Sequence, residues 1–235
     1  MNPLNGKWAL ITGSSRGIGQ QIAIGLAEKG CNIILHATRA ENCDNTLEKI
    51  NHFNTESLVV GGVLGDPKEE QKIIDRVLDK VGYIDILYNN AAVMSSWHDH
   101  MSEIPMKEWV EIYQINFFSL VRLCNAFYPI MVERNWGRII NLITGMENTP
   151  QLIPYSASKA SVEKYTKELA AELKQTKVRV NALDPGWLKT DMGGENADFA
   201  VETVLPGALA PALVEDSGPS GTVFRAQDFK ITSTD

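Results

Sequence analysis

Short apolar runs alternate with longer amphipathic ones along the chain, and no other feature limits its fold as tightly. Trp8-Ala9-Leu10-Ile11, Ile33-Ile34-Leu35, Leu58-Val59-Val60, Ile84-Asp85-Ile86-Leu87-Tyr88, Ile139-Ile140-Asn141-Leu142-Ile143 and Val178-Arg179-Val180-Asn181-Ala182-Leu183 read as strands buried on both faces. Between them the spacing predicts helices at about 17–29, 40–54, 67–81, 105–134 and 154–174, with Pro67 and Pro105 placed as openers. Strand and helix in alternation mean parallel strands joined by right-handed crossovers. The expectation is an α/β chain whose doubly wound parallel sheet forms the middle of a three-layer α/β/α sandwich. Ligands of such a sheet sit at the carboxyl ends of its strands. A length of 235 residues, 44% of them hydrophobic, suits one domain over 1–235 with a sizeable core. The stretches at about 144–152 and 186–200 lack a clear period and are expected on the rim of the site.

Two features belong to those strand ends. Thr12-Gly13-Ser14-Ser15-Arg16-Gly17-Ile18-Gly19 runs directly into the apolar helix of Ile22, Ala23 and Leu26. Glycines there permit a tight turn and let the backbone and a helix N-terminus approach a pyrophosphate. Taken alone, such a turn serves as well for a plain strand-to-helix connection. Tyr155 and Lys159 stand four apart behind Pro154 at the start of a helical segment, which puts phenol and ammonium on one helix face. A cation fixed beside a phenol favours the phenolate, so the tyrosine pKa is expected to fall from about 10 toward the working pH. Such a tyrosine can act as general acid or base.

Other motifs accompany these in a fixed order: Asp66 after the third strand, Asn89-Asn90-Ala91-Ala92 after the fourth, and Asn116 in the long helical stretch. Gly137-Arg138-Ile139-Ile140-Asn141 opens the fifth strand and Pro185-Gly186-Trp187-Leu188-Lys189-Thr190 follows the sixth. In this order, and with the spacing Gly-x-x-x-Gly-x-Gly, the chain resembles the short-chain dehydrogenase/reductase family over nearly its whole length. The closing pattern Lys189-Thr190-Asp191-Met192-Gly193-Gly194 with Ser217 to Phe224 is similar to its carbonyl-reductase-like branch. The resemblance implies a single NAD(P)-binding Rossmann domain with a short substrate loop at about 186–200.

It further implies an oxidoreductase. A nicotinamide exchanges hydride with a carbonyl carbon, Tyr155 is the general acid or base, and Lys159 lowers the tyrosine pKa and binds the nicotinamide ribose. Asn116 takes the place of an asparagine that holds a relay water. Counting from Gly137-Arg138 brings Thr144 to the position of the family's substrate-polarising serine. Threonine offers the same hydroxyl, with a methyl that restricts its rotamer. A second departure is Ala92, where the family has glycine.

An NAD-selective site places an acidic side chain just after the second strand. Here His36-Ala37-Thr38-Arg39 follows, with Ala37 at the acid's position, and Arg16 and Arg39 are available to pair with a 2′-phosphate. NADP(H) is therefore expected over NAD(H). By resemblance the cofactor contacts are Gly13, Ser15, Arg16, Gly17, Ile18, Gly19, Ala37, Thr38, Arg39, Asp66 at the adenine ring, Asn90, Ala91, Tyr155, Lys159, Pro185, Gly186, Leu188 and Thr190.

Net charge of −7 with interspersed signs offers no basic footprint for nucleic acid or an anionic membrane, so the expected partner is a small carbonyl compound. A 3-oxoacyl thioester on acyl carrier protein is a further candidate, for which Arg134, Arg138, Lys174 and Lys177 are possible docking charges. Three scattered cysteines argue against a disulfide framework or zinc site, and His98-Asp99-His100 reads as a solvated loop rather than a metal site. With no apolar signal core and no uninterrupted apolar run of membrane-spanning length, a cytoplasmic location is expected. Family resemblance also implies a homotetramer or dimer built on the two long helices. The competing reading, a catalytically weak NADP(H)-binding sensor or assembly protein, rests on Thr144 and Ala92 together. Retention of Tyr155, Lys159 and Asn116 favours the enzyme.

Overall fold

The computed structural model describes residues 4–229. Its strands and helices alternate as β1 (Trp8–Ile11), α1 (Gly17–Glu28), β2 (Asn32–Ala37), α2 (Asp44–Ile50), β3 (Ser57–Gly61), α3 (Pro67–Val81) and β4 (Ile86–Asn89). There follow α4 (Met106–Tyr113), α5 (Ser119–Glu133), β5 (Gly137–Leu142), α6 (Ile153–Glu172), β6 (Val178–Asp184), β7 (Leu188–Lys189), β8 (Phe199–Ala200) and β9 (Val223–Arg225). Seven strands form one parallel sheet in the order β3-β2-β1-β4-β5-β6-β9. This is the α/β Rossmann-like sandwich the alternation predicts. The order reverses between β1 and β4, so the crevice at their carboxyl ends is the topological switch point.

Both faces of the sheet are covered by apolar side chains. On one, Ile22, Ala23 and Leu26 of α1 pack over Ile11, Ile33 and Leu35, with Val204, Ala208 and Leu209 completing the layer. On the other, Ile73 and Val77 of α3, Leu123 and Phe127 of α5 and Val162 of α6 cover Leu10, Ile34, Leu87, Ile139 and Val180. Burial on two sides explains why these strands read as unbroken apolar runs.

Helix α3 has the predicted bounds because its ends are chemically marked. Asp66 caps the first turn, Pro67 opens it, and Gly82 closes it at φ 83°. The expected helix at 105–134 is instead interrupted, with a π-turn over Gln114–Phe118 separating α4 from α5. The stretch Met106–Glu133 has membrane-spanning length and apolarity by composition, though charged residues interrupt it, and Leu120, Leu123, Cys124, Phe127 and Met131 pack into the core. Strand β9 is too short to have signalled itself. Beyond β6, the expected substrate loop is tied off by the pairing of Leu188 with Phe199 and Lys189 with Ala200.

Candidate active site

The glycine turn is held in shape before any ligand arrives. Gly13 and Gly17 adopt φ of 64° and 59°, and a side chain on Gly19 would stand 2.3 Å from the Gly13 carbonyl. Thr12 Oγ1 accepts from the N–H groups of Asn90 and Ala91, each at 3.0 Å, and Asn90 Nδ2 donates to the carbonyls of Thr12 and Gly13. His36 completes the frame. Its Nδ1 accepts from Gly13 N at 3.2 Å, which leaves Nε2 to donate to Gly62 O at 3.1 Å. Burial drives its pKa down to about 4, so the ring is neutral, as this bonding requires. The turn then opens into the first turn of α1, where Gly17 and Ile18 line the cleft.

The cleft has two lobes that meet at Tyr155. One, of about 600 Å³, is lined by Gly13, Ser15, Arg16, Gly17, Ala37, Thr38, Asn90, Ala91 and Lys159. The other, of about 740 Å³, is walled by Met94, Trp97, Thr144, Met146, Trp187 and Phe199. Ile18, Pro185 and Thr190 line both, and so does Tyr155, the one titratable residue that does among the described residues. The non-periodic stretches at 144–152 and 186–200 thus supply much of the second lobe, as expected of a rim. Gly186 and Leu188, expected at the cofactor, line this second lobe instead.

The expected pKa depression at Tyr155 is not what the site shows. Burial pushes the phenol up to about 12, the Asp184 carboxylate adds to the rise, and a hydrogen bond with Thr144 partly opposes it. Lys159 does not counter this. It is buried, its Nζ donates to Leu142 O at 2.9 Å, and it lies 6.0 Å from the Tyr155 ring centroid. Desolvation lowers its own pKa to about 8. Helical spacing correctly put both groups on one face, but burial is a tertiary quantity and outweighs the pairing.

Asn116 is buried in the π-turn and makes no bond to its own helix through its side chain. Oδ1 accepts from Val93 N at 2.8 Å while Nδ2 donates to Val93 O and to Ser158 Oγ. Ser158 in turn donates to Tyr155 O at 2.7 Å. The amide therefore clamps the loop after β4 to the helix carrying Tyr155. Thr144 lines the substrate lobe, and its Oγ1 accepts from Met146 N at 3.2 Å.

Two residues expected at the cofactor, Asp66 and Arg39, stand off the cleft wall. Asp66 is outside the cleft lining, and its Oδ1 accepts from Lys68 N at 2.8 Å and Glu69 N at 3.4 Å as the cap of α3. Val63 and Leu64 line the cleft at that level instead. Arg39 is exposed and likewise away from the lining. Asp66→Ala should thus cost roughly 1 kcal/mol of stability in urea unfolding and leave cofactor affinity unchanged. A weakened cofactor complex at unaltered stability would restore Asp66 to the site.

Arg16 lines the first lobe, and its Nε meets Asp191 Oδ2 at 2.9 Å. His98 pairs with Glu108 at 2.8 Å. The basic residues considered for carrier docking sit at the opposite end of the sheet. Arg138 is buried at the start of β5 against Asp216 and the Val214 carbonyl, Arg134 lies over the Tyr83 ring, and Lys177 neighbours Asp216. Sequence reasoning missed His36, Asn42, Val63 and Lys189 in the first lobe and Asp184, Arg225 and Gln227 in the second. Only Asp184 was open to detection, as a carboxylate ending an apolar strand before Pro185-Gly186.

A family model described as short chain dehydrogenase matches residues 7–200. The 3-oxoacyl-[acyl-carrier-protein] reductase FabG of Staphylococcus aureus is 31% identical over 226 residues, covering 94% of this chain and 91% of that protein. Among solved structures, a short-chain type dehydrogenase/reductase from Mycobacterium marinum superposes with a TM-score of 0.82 at 27% identity, over 95% of this chain and 94% of that one. A 3-oxoacyl (acyl-carrier-protein) reductase from Agrobacterium tumefaciens C58 with NADP bound gives 0.84 at 25% identity, over 95% and 94%.

Proposed function

The chain belongs to the short-chain dehydrogenase family and is an NAD(P)(H)-dependent oxidoreductase, and we propose that it reduces a carbonyl compound with NADP(H), using Tyr155 as proton donor. The observation that carries this reading is the position of the Tyr155 phenol at the seam of the two lobes. A phenol that keeps its proton at neutral pH is suited to protonate the oxygen of a ketone or aldehyde as it is reduced.

The glycine turn fits a dinucleotide: side chains on Gly13 and Gly19 would collide with Ala91, Asn90 and the Gly13 carbonyl, so glycine lets the turn close tightly and bring the backbone of Gly13, Ser15, Gly17 and Ile18 to the cleft. A bound nicotinamide supplies or accepts hydride, and the rest belongs to the protein. The first turn of α1 takes the diphosphate, with Ser15, Gly17 and Ile18 on its path, and Ala37, Thr38 and Arg16 take the adenosine end. Lys159, behind Tyr155, takes the nicotinamide ribose, and Asn90, Ala91, Pro185 and Thr190 wall that end. Thr144 donates to the substrate oxygen. Asn116 is a positioning residue, holding Val93 and α6 in place.

The absence of an acid at Ala37 and the presence of Arg16 on the cleft support NADP(H) over NAD(H). Loss of one charge-assisted contact is worth roughly tenfold or more. In NADPH oxidation against a panel of ketones, aldehydes and an acetoacetyl thioester, kcat/KM for NADPH should exceed that for NADH by about tenfold. Arg16→Ala should bring the two near parity. Equal use of NADH by the unaltered enzyme would reject the cofactor assignment, and absence of turnover across the panel would reject the reductase.

A 3-oxoacyl thioester stays within the panel on the strength of the relatives, without the docking charges first considered for it. Assembly as a dimer or tetramer on the long helices belongs to the same proposal, supported by Met106, Val110 and Phe118 standing exposed on the α4–α5 stretch. So does a cytoplasmic location, supported by the free thiols Cys31, Cys43 and Cys124.

A further inference from the structure

The two lobes carry opposite charge. Arg16, Lys159 and Lys189 face Asp191 alone in the cofactor lobe. The substrate lobe has Glu147, Asp184, Asp198 and Asp228 against Arg225 alone. Phosphates account for the first imbalance, while nothing in carbonyl reduction asks for the second.

Asp184 is the carboxylate nearest the chemistry. It ends β6 immediately before Pro185 and Gly186, and Oδ1 accepts from Gly186 N at 3.1 Å, which fixes the side chain. Oδ2 lies 2.7 Å from where a side chain on Gly145 would begin, so it backs directly onto the turn carrying Thr144. It acts on the Tyr155 phenol through space. Arg225 stands in register on β9, yet among the described residues the two form no ion pair.

Resting on the reductase reading, we infer that Asp184 is a specificity-determining residue that selects carbonyl substrates bearing a cationic or hydroxyl donor close to the reacting carbon. A protonated amine is preferred and a carboxylate at that position is rejected. The apolar wall of Met94, Trp97, Met146 and Trp187 receives the rest of such a molecule. The charge sign explains why a carboxylate beside a carbonyl is disfavoured: it would be desolvated against a like charge.

Four aryl ketones of one skeleton test this: phenacylamine, 2-hydroxyacetophenone, acetophenone and phenylglyoxylate. With NADPH, kcat/KM should fall in that order, and Asp184→Asn, which keeps the acceptor for Gly186 N, should shrink the phenacylamine-to-phenylglyoxylate ratio by at least about tenfold. Unchanged NADPH affinity reports that the variant is folded. Quenching of tryptophan fluorescence by the same ketones, with NADP+ present, reads the preference without turnover. A binding preference for phenacylamine that Asp184→Asn removes supports the inference even if no ketone is reduced, an outcome that would defeat only the reductase reading. Reduction of these ketones with the ratio unmoved by Asp184→Asn would overturn the inference alone, and so would a native preference for phenylglyoxylate.

Discussion

Tyr155→Phe is expected to lower kcat by about 10²- to 10⁴-fold, the usual worth of a positioned general acid, while NADPH binding and thermal stability stay close to those of the parent enzyme. The phenol makes no structural hydrogen bond that phenylalanine would break apart from that with Thr144, and the ring itself is buried between the lobes. Deleting one hydroxyl therefore removes the proton donor without reshaping either lobe. Stopped-flow measurement of NADPH oxidation in a single turnover, beside fluorescence titration of NADPH, separates the two quantities. A kcat within tenfold of the parent would mean that the proton comes from elsewhere, and Thr144 or a water would have to supply it. A loss of cofactor affinity matching the loss of rate would instead make Tyr155 a binding residue. The pH profile adds a second check. Reduction needs the protonated phenol, and with that group held at about 12 the rate should not fall through neutral pH on its account.

The fold was legible because its signals are local and redundant. Runs such as Ile33-Ile34-Leu35 can be continuous only where both sheet faces are covered, and α3 announces its own ends through Asp66, Pro67 and Gly82. The interruption at Gln114–Phe118 was hidden because a π-turn leaves composition and periodicity almost unchanged while adding one residue to a turn. In the site, spacing correctly placed Tyr155 and Lys159 together and the glycine turn at the switch point. What it could not give was anything that depends on who else is near. Asp66 is a good cap and a plausible ligand by the same chemistry, and only the path of the chain past Gly61 decides between them. Arg138 looks like surface charge in a sequence and is instead buried, with Asp216 and four backbone contacts around it. The direction of the Tyr155 shift failed for the same reason, since it is set by burial and by Asp184 at the end of a different strand.

Lys159 presents the corresponding conflict between activity and stability, and Lys159→Met is expected to separate them. In an unfolded chain this lysine titrates near 10.5, whereas in the folded protein burial brings it down to about 8. Between those values the unfolded chain holds the extra proton, so stability rises with pH across that window. Below pH 8 both states are protonated, and the whole penalty of burying the ammonium remains, on the order of 3 kcal/mol. Methionine fills similar volume without the charge, but it abandons the Leu142 carbonyl, which offsets roughly 1–3 kcal/mol of that gain. Thermal unfolding at pH 7 should therefore show Lys159→Met at least as stable as the parent, with the largest advantage below pH 8 and a gap that closes by about pH 10.5. Turnover should nevertheless fall by at least about 10²-fold and NADPH affinity should weaken, because the cation proposed to hold the ribose is gone. A melting temperature several degrees below the parent at pH 7, or an advantage that grows with pH, would show instead that the ammonium is a stabilising partner in the free enzyme. The lysine is retained, on this account, for a cofactor that converts an unfavourable buried charge into a bound one.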